Sequence, residues 1–251
     1  MPISNYLRTI GTYLAQAELN NVQRDCESQH DIEPTPFEVY SQSDENGLIQ
    51  WITGNLGTEY GDHYEIEAED GLECNSHLLL QIRQHGHWID ANHKRFISAR
   101  SLWRKYLDKR ALEIEESLVL PDNISYILRS DLTNSLDIAS IDIDGNDLRA
   151  WQNIVGSPKQ VDIEYNATFP PPISVAQPRV ADYVWQKDNV FGASLAALDK
   201  LGGEKGYKLV ACSSAGRMLF LYEMILVTCS LSFHGLPCIS QIVMIYAKTH
   251  T

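Results

Sequence analysis

The chain has 251 residues, 44% of them hydrophobic and 21% charged, a composition that fits one ordinary globular domain and excludes disordered and fibrous classes. Lys and Arg number 20 against 33 Asp and Glu, a net charge of -13. That charge repels a phosphate backbone and removes nucleic acid as a general partner. The five cysteines show no C-x-x-C spacing, and Met1–Asn20 carries no apolar h-region or cleavage site, so a reducing, cytoplasmic setting is expected.

Tyr6, Ile10, Tyr13, Leu14, Ala17 and Val22 fall at helical spacings, which predicts an N-terminal helical cap within residues 1–40. Asp44–Leu56 predicts a second helix, with Leu48, Ile49 and Ile52 on one face and Gly57 past its end. From there strands and helices alternate. Strands are predicted at Tyr64–Ala68, His87–Asp90, Ala111–Val119, Leu136–Asp144, Val161–Tyr165 and Tyr207–Cys212. Helices are predicted at Asn75–Gln84, Phe96–Tyr106, Pro121–Leu128, Asp147–Val155 and Ala193–Leu201. This alternation predicts an α/β domain over residues 41–216, with a mainly parallel sheet covered on both faces.

Residues 217–251 differ in composition. All but two of the 20 basic and all but one of the 33 acidic residues precede them, whereas three of the four methionines lie within them. The uncharged run Met224–Ala247 is broken by His234-Gly-Leu-Pro237, leaving pieces shorter than the roughly 20 residues a membrane span needs.

In an open α/β sheet ligands bind beyond the carboxyl ends of the strands, and here those ends are acidic. The first strand runs into Glu67-Ala-Glu-Asp-Gly71, the second ends at Asp90, the fourth at Asp142-Ile-Asp144, and the fifth at Glu164-Tyr-Asn166. A carboxylate closing the second strand can accept hydrogen bonds from two adjacent ribose hydroxyls; on pattern alone a solvated loop carboxylate fits Asp90 equally. Asp142 and Asp144, two apart on a predicted strand, are expected on one face. Asp144, Glu164 and Asn166, from consecutive strand ends, are either oxygen ligands for a hard cation such as Mg²⁺ or like charges kept apart and hydrated. The histidines lack H-E-x-x-H spacing, so zinc is not expected. Ser213 and Ser214 are outside any G-x-S-x-G, and no P-loop is present.

The segments Ser41–Ile49, Tyr64–Leu80, His87–Asp90, Pro121–Ile124, Ser140–Trp151, Val161–Pro170 and Gly192–Leu195 together resemble class I S-adenosylmethionine-dependent methyltransferases, and more closely their FkbM-like group. The resemblance covers about Ser41 to Gly216 and implies a Rossmann-like, seven-stranded sheet with the cofactor at the ends of the first two strands. It places cofactor-binding residues at Glu65, Glu67, Ala68, Asp70, Gly71, Asp90 and Asp142. Asp144, Glu164 and Asn166 take the place of the catalytic, Mg²⁺-holding set. The implied activity is methyl transfer to an oxygen of a small molecule or sugar; the oligomeric state stays open.

Two departures mark the sequence. Glu67 stands where the family has the first glycine of its cofactor loop, a position with little room for a side chain. In addition, one back-translation of Arg217–Leu226, read two bases later, spells Asn-Ala-Phe-Phe-Val-Arg-Asn-Asp-Leu, which resembles the family's last strand. Residues from Arg217 are therefore expected to be either an out-of-frame extension, leaving the last strand altered, or a divergent tail. Together these departures keep open an alternative, a non-enzymatic binding or scaffold protein that has lost its cofactor.

Overall fold

The computed structural model describes residues 45–56, 61–81, 85–128, 136–178, 191–213 and 216–223. The predicted cap at residues 1–40 and the tail beyond Glu223 lie outside the described residues. Along the chain run α1 (Glu45–Leu56), β1 (Asp62–Ile66), α2 (His77–Gln81), β2 (His85–Asp90), α3 (His93–Leu102), α4 (Arg104–Asp108) and β3 (Leu112–Glu116). They are followed by α5 (Ile124–Ile127), β4 (Ile138–Ile141), α6 (Asp147–Asn153), β5 (Gln160–Glu164), α7 (Leu195–Lys205), β6 (Tyr207–Cys212) and β7 (Met218–Glu223).

The strands form a seven-stranded sheet in the order β3-β2-β1-β4-β5-β7-β6. β1 to β5 pair in parallel, and β7 runs antiparallel to both of its neighbours. The order reverses between β1 and β4, the switch point at which the carboxyl ends open a crevice.

Burial on both faces explains why the inner strands read as apolar runs rather than alternations. β4 (Ile138-Ala-Ser-Ile141) is buried throughout. β7 alternates between two cores: Leu219 and Leu221 join the large cluster with Trp151, Leu198 and Val161, whereas Met218, Phe220 and Tyr222 pack with Leu48, Ile49 and Ile52 of α1. The strand expected after Gly216 is thus formed by Met218–Glu223 as they stand, between β5 and β6. A third cluster joins Trp88 of β2 to Ala99 and Trp103 beneath the first loop. α7 begins at Ser194, whose side chain accepts the Ala197 N–H, and ends at Gly206 with a left-handed φ of 88°, a helix stop that glycine makes without steric cost.

Among the described residues no helix is long and apolar enough to cross a membrane.

Candidate functional site

The loop after β1 is folded by its own residues. Ala68 N–H donates to Ile89 O (3.2 Å) and Gly71 N–H to Ala68 O (2.9 Å). Gly71, at φ 77°, lies against an indole: a Cβ there would stand 2.0 Å from Trp88 Cζ3. Asp70 accepts the Leu72 N–H with its side chain and the Trp103 indole N–H with its carbonyl. Ala68 is buried beside the same indoles. Beyond the loop, the Glu65 carboxylate accepts the N–H groups of Asn75 and Ser76, each at 3.2 Å, and so anchors the approach to α2. Burial pushes Glu65 up to about 7, against the pull of those hydrogen bonds.

Asp90 closes β2 and ties the loop to it. One oxygen accepts the Glu69 N–H at 3.0 Å, the other the Asn92 N–H at 2.6 Å. Ionised, a carboxylate offers about four acceptor sites, so capacity remains for further donors. Arg95 of α3 bridges the same corner, 2.7 Å from Glu69 and 3.9 Å from Asp90.

Glu67 occupies the left-handed region at φ 59°, where a non-glycine residue is strained. Its carboxyl is pushed up to about 8, mainly by burial and then by the neighbouring charges of Asp144, Asp142 and Asp90; Arg95 pulls the other way. The substitution singled out in the sequence therefore sits where the backbone favours glycine and the surroundings disfavour a negative charge.

Opposite the loop, the structure regroups the predicted acids. β4 ends at Ile141, and a turn follows with Asp144 at φ 52° and Gly145 at φ 120°. Strand alternation therefore does not carry through to Asp144, which is exposed while Asp142 is half-buried. Asp147, the first residue of a predicted helix, is buried, and its two oxygens accept the N–H groups of Ile143 (2.8 Å) and Gly145 (3.0 Å). Asn166 is also buried and committed to the chain: its amide donates to Phe191 O at 3.0 Å and its oxygen accepts the Thr168 N–H at 3.0 Å. The set Asp144, Glu164, Asn166 is therefore not assembled as a ligand shell. The acids that do converge are Asp142, Asp147 and Glu164, which offer oxygens within 4.8 Å of one another. Burial, then repulsion from neighbouring carboxylates (Asp144 for Asp142, Asp142 for Asp147 and Glu164), raises all three: Asp142 to about 6, Asp147 to about 7 and Glu164 to about 10. The raised values favour the protonated form of each carboxyl, Glu164 most strongly.

Glu65, Glu67, Glu69 and Arg95 on one side and Asp142, Asp144 and Glu164 on the other line one cleft of about 420 Å³, which also takes in Glu45, Glu73, Tyr165, Phe191, Arg217 and Met218; Asp90 lies behind Glu69 and Arg95 rather than in the lining. Eight carboxyl groups face two guanidiniums among its described lining residues, so the cleft favours a cationic ligand. Glu45, Arg95 and Arg217 were not anticipated. Arg217 is one of the few charges of the tail, the one signal that could have marked it.

No family model matches the chain, and no curated protein matches it in sequence. Solved structures similar to it include magnesium protoporphyrin IX methyltransferase from Synechocystis PCC 6803 with bound SAM, 11% identical over 71% of this chain and 77% of that one, TM-score 0.47. A SAM-dependent methyltransferase from Aquifex aeolicus is 11% identical over 69% and 87%, TM-score 0.40. The N-terminal domain of EvdMO1, in the presence of SAH and D-fucose, is 10% identical over 81% and 96%, TM-score 0.46. At these scores the likeness says nothing of activity. By its order, its parallel run and its antiparallel β7, the sheet is the Rossmann-like fold of class I methyltransferases.

Proposed function

We propose that the chain binds S-adenosylmethionine in the cleft and directs its methyl group to an oxygen of a small molecule or sugar, as a member of the FkbM-like group. When bound, the cofactor supplies an electrophilic methyl on a sulfonium. The observation that carries the reading is Asp90: a buried carboxylate closing β2 beside the switch point, held by two backbone N–H groups and retaining acceptor sites for a ribose. The acidic lining suits the positive sulfonium and amino groups of the cofactor. Glu65 holds the loop in place, Asp142, Asp144 and Glu164 face the acceptor, and Asn166 positions the β5 end by bonding to Phe191 and Thr168. No step is assigned to Mg²⁺, because Asp144 does not join Glu164 in the converging group and Asn166 is held by Phe191 and Thr168. Orientation and proximity supply the rate, and Asp142 is placed to take the acceptor's proton.

A second reading is a methyltransferase-fold binding protein that no longer holds the cofactor. Glu67 favours it, since it lines the cleft at a left-handed position where the family has a glycine, and its side chain takes room that a cofactor would need. Calorimetric titration with S-adenosylmethionine separates the two. Binding by the unsubstituted chain, weakened by Asp90→Asn, supports the enzyme. Binding only by Glu67→Gly supports decay from one. No binding by either chain rejects the proposal.

A further inference from the structure

The cleft lies at the carboxyl ends of the strands; their amino ends carry a second constellation. His85 and His87 flank Gly86 on β2, so both imidazoles stand on the same face of the sheet. The parallel register sets Asp62 of β1 beside His85 and Glu113 of β3 beside His87. Asp62 Oδ1 is 3.3 Å from His85 Nδ1, and Glu113 Oε2 is 3.3 Å from His87 Nδ1. The two imidazole rings are 4.7 Å apart, and ligand atoms of Asp62, His85 and His87 lie within 4.8 Å of one another.

We propose that Asp62, His85 and His87 form a binding site for a divalent transition-metal ion of the zinc type, with the Glu113 carboxylate beside His87. Two imidazole nitrogens with a carboxylate form a donor set that zinc takes, whereas Mg²⁺ and Ca²⁺ select oxygen ligands alone. Two carboxylates also balance the charge of a dication, leaving both imidazoles neutral as metal binding requires. The inner half of the site is held in place: the His87 ring stacks on Tyr64 at 4.5 Å, 10° from parallel, and its side chain is only 13% exposed. Between the pair only glycine fits, because a Cβ at Gly86 would stand 2.8 Å from His63 Nε2. The outer half is open, with Asp62 54% exposed, which gives an ion a way in. The sequence showed His85-Gly-His87 without a recognised ligand spacing, since the carboxylates come from neighbouring strands. A bound ion would clip β1 to β2 at the end opposite the cleft, independently of any cofactor there.

The test is titration of the full chain, without an affinity tag, with zinc chloride, alongside the double variant His85→Ala, His87→Phe. Phenylalanine keeps the stack on Tyr64 but offers no ligand. One zinc per chain is expected to bind to the unsubstituted chain and to His93→Ala, and to be lost in the double variant. Equal zinc uptake by the double variant, or no uptake by the unsubstituted chain, overturns the proposal. Where the double variant fails to fold, diethyl pyrocarbonate labelling of the unsubstituted chain decides. Zinc is expected to protect His85 and His87 and to leave His93 labelled; equal labelling of all three with and without zinc overturns the site.

Discussion

Replacing Glu67 by glycine is predicted to stabilise the chain, and by more at alkaline than at acidic pH. Two effects contribute. A left-handed backbone costs a non-glycine residue about 1–2 kcal/mol, of which the greater freedom of glycine in the unfolded chain cancels about 0.4–1 kcal/mol; that part is independent of pH. The second effect is electrostatic. Glu67 rises from 4.5 to about 8 on folding, so between those values the folded chain holds a proton that the unfolded chain has released. Stability must then fall as pH rises through the window, by at most about 1.4 kcal/mol per pH unit for one group, and level off above pH 8. Glu67→Gly removes this loss and the strain; Glu67→Gln removes the loss and keeps the strain. Urea unfolding at pH 5, 6.5 and 8 should show the advantage of both variants growing with pH, with glycine ahead by a constant amount. An advantage that stays flat or shrinks toward pH 8 would refute the reasoning.

Other outcomes follow from the same geometry. The unsubstituted chain should unfold at lower urea at pH 8 than at pH 5.5, because Glu65, Asp142, Asp147 and Glu164 are all raised on folding and lose stability as they ionise; a higher midpoint at pH 8 would contradict this. Gly71→Ala should cost about 2–4 kcal/mol, from overpacking against Trp88 and the left-handed φ, read in the same unfolding assay. Phe220→Ala, at a fully buried position of β7, should cost about 3–5 kcal/mol, whereas a strand foreign to the fold would tolerate it.

The strands were legible where their neighbours are those of any α/β sheet. Val161-Asp-Ile-Glu-Tyr165 and Tyr207–Cys212 show their character in a few residues, and Asp90 and Gly71 could be singled out because a strand end and a tight loop constrain them locally. β7 was harder, since Met218–Glu223 is buried on both faces and so lacks the alternation that marks a half-buried strand. The acidic site was only partly legible. Asp142 and Glu164 were visible as strand ends, but the turn at Asp144-Gly145 carries Asp144 away. Asp147 is committed to the N–H groups of Ile143 and Gly145 within that same turn, whose shape the strand pattern did not reveal, and Asn166 is tied in part to Phe191, 25 residues further on. Arg95 and Glu69 meet only because α3 folds back over the loop.

The central claim is that the cleft at the ends of β1 and β2 is a nucleoside site whose ribose is held by Asp90, behind the lining residues Glu69 and Arg95. A crystal of Glu67→Gly grown with S-adenosylhomocysteine addresses it directly. The account predicts the ligand in the cleft, with its ribose hydroxyls within hydrogen-bonding distance of the Asp90 carboxylate; an empty cleft at saturating ligand, or a ligand bound away from Asp90, would contradict it.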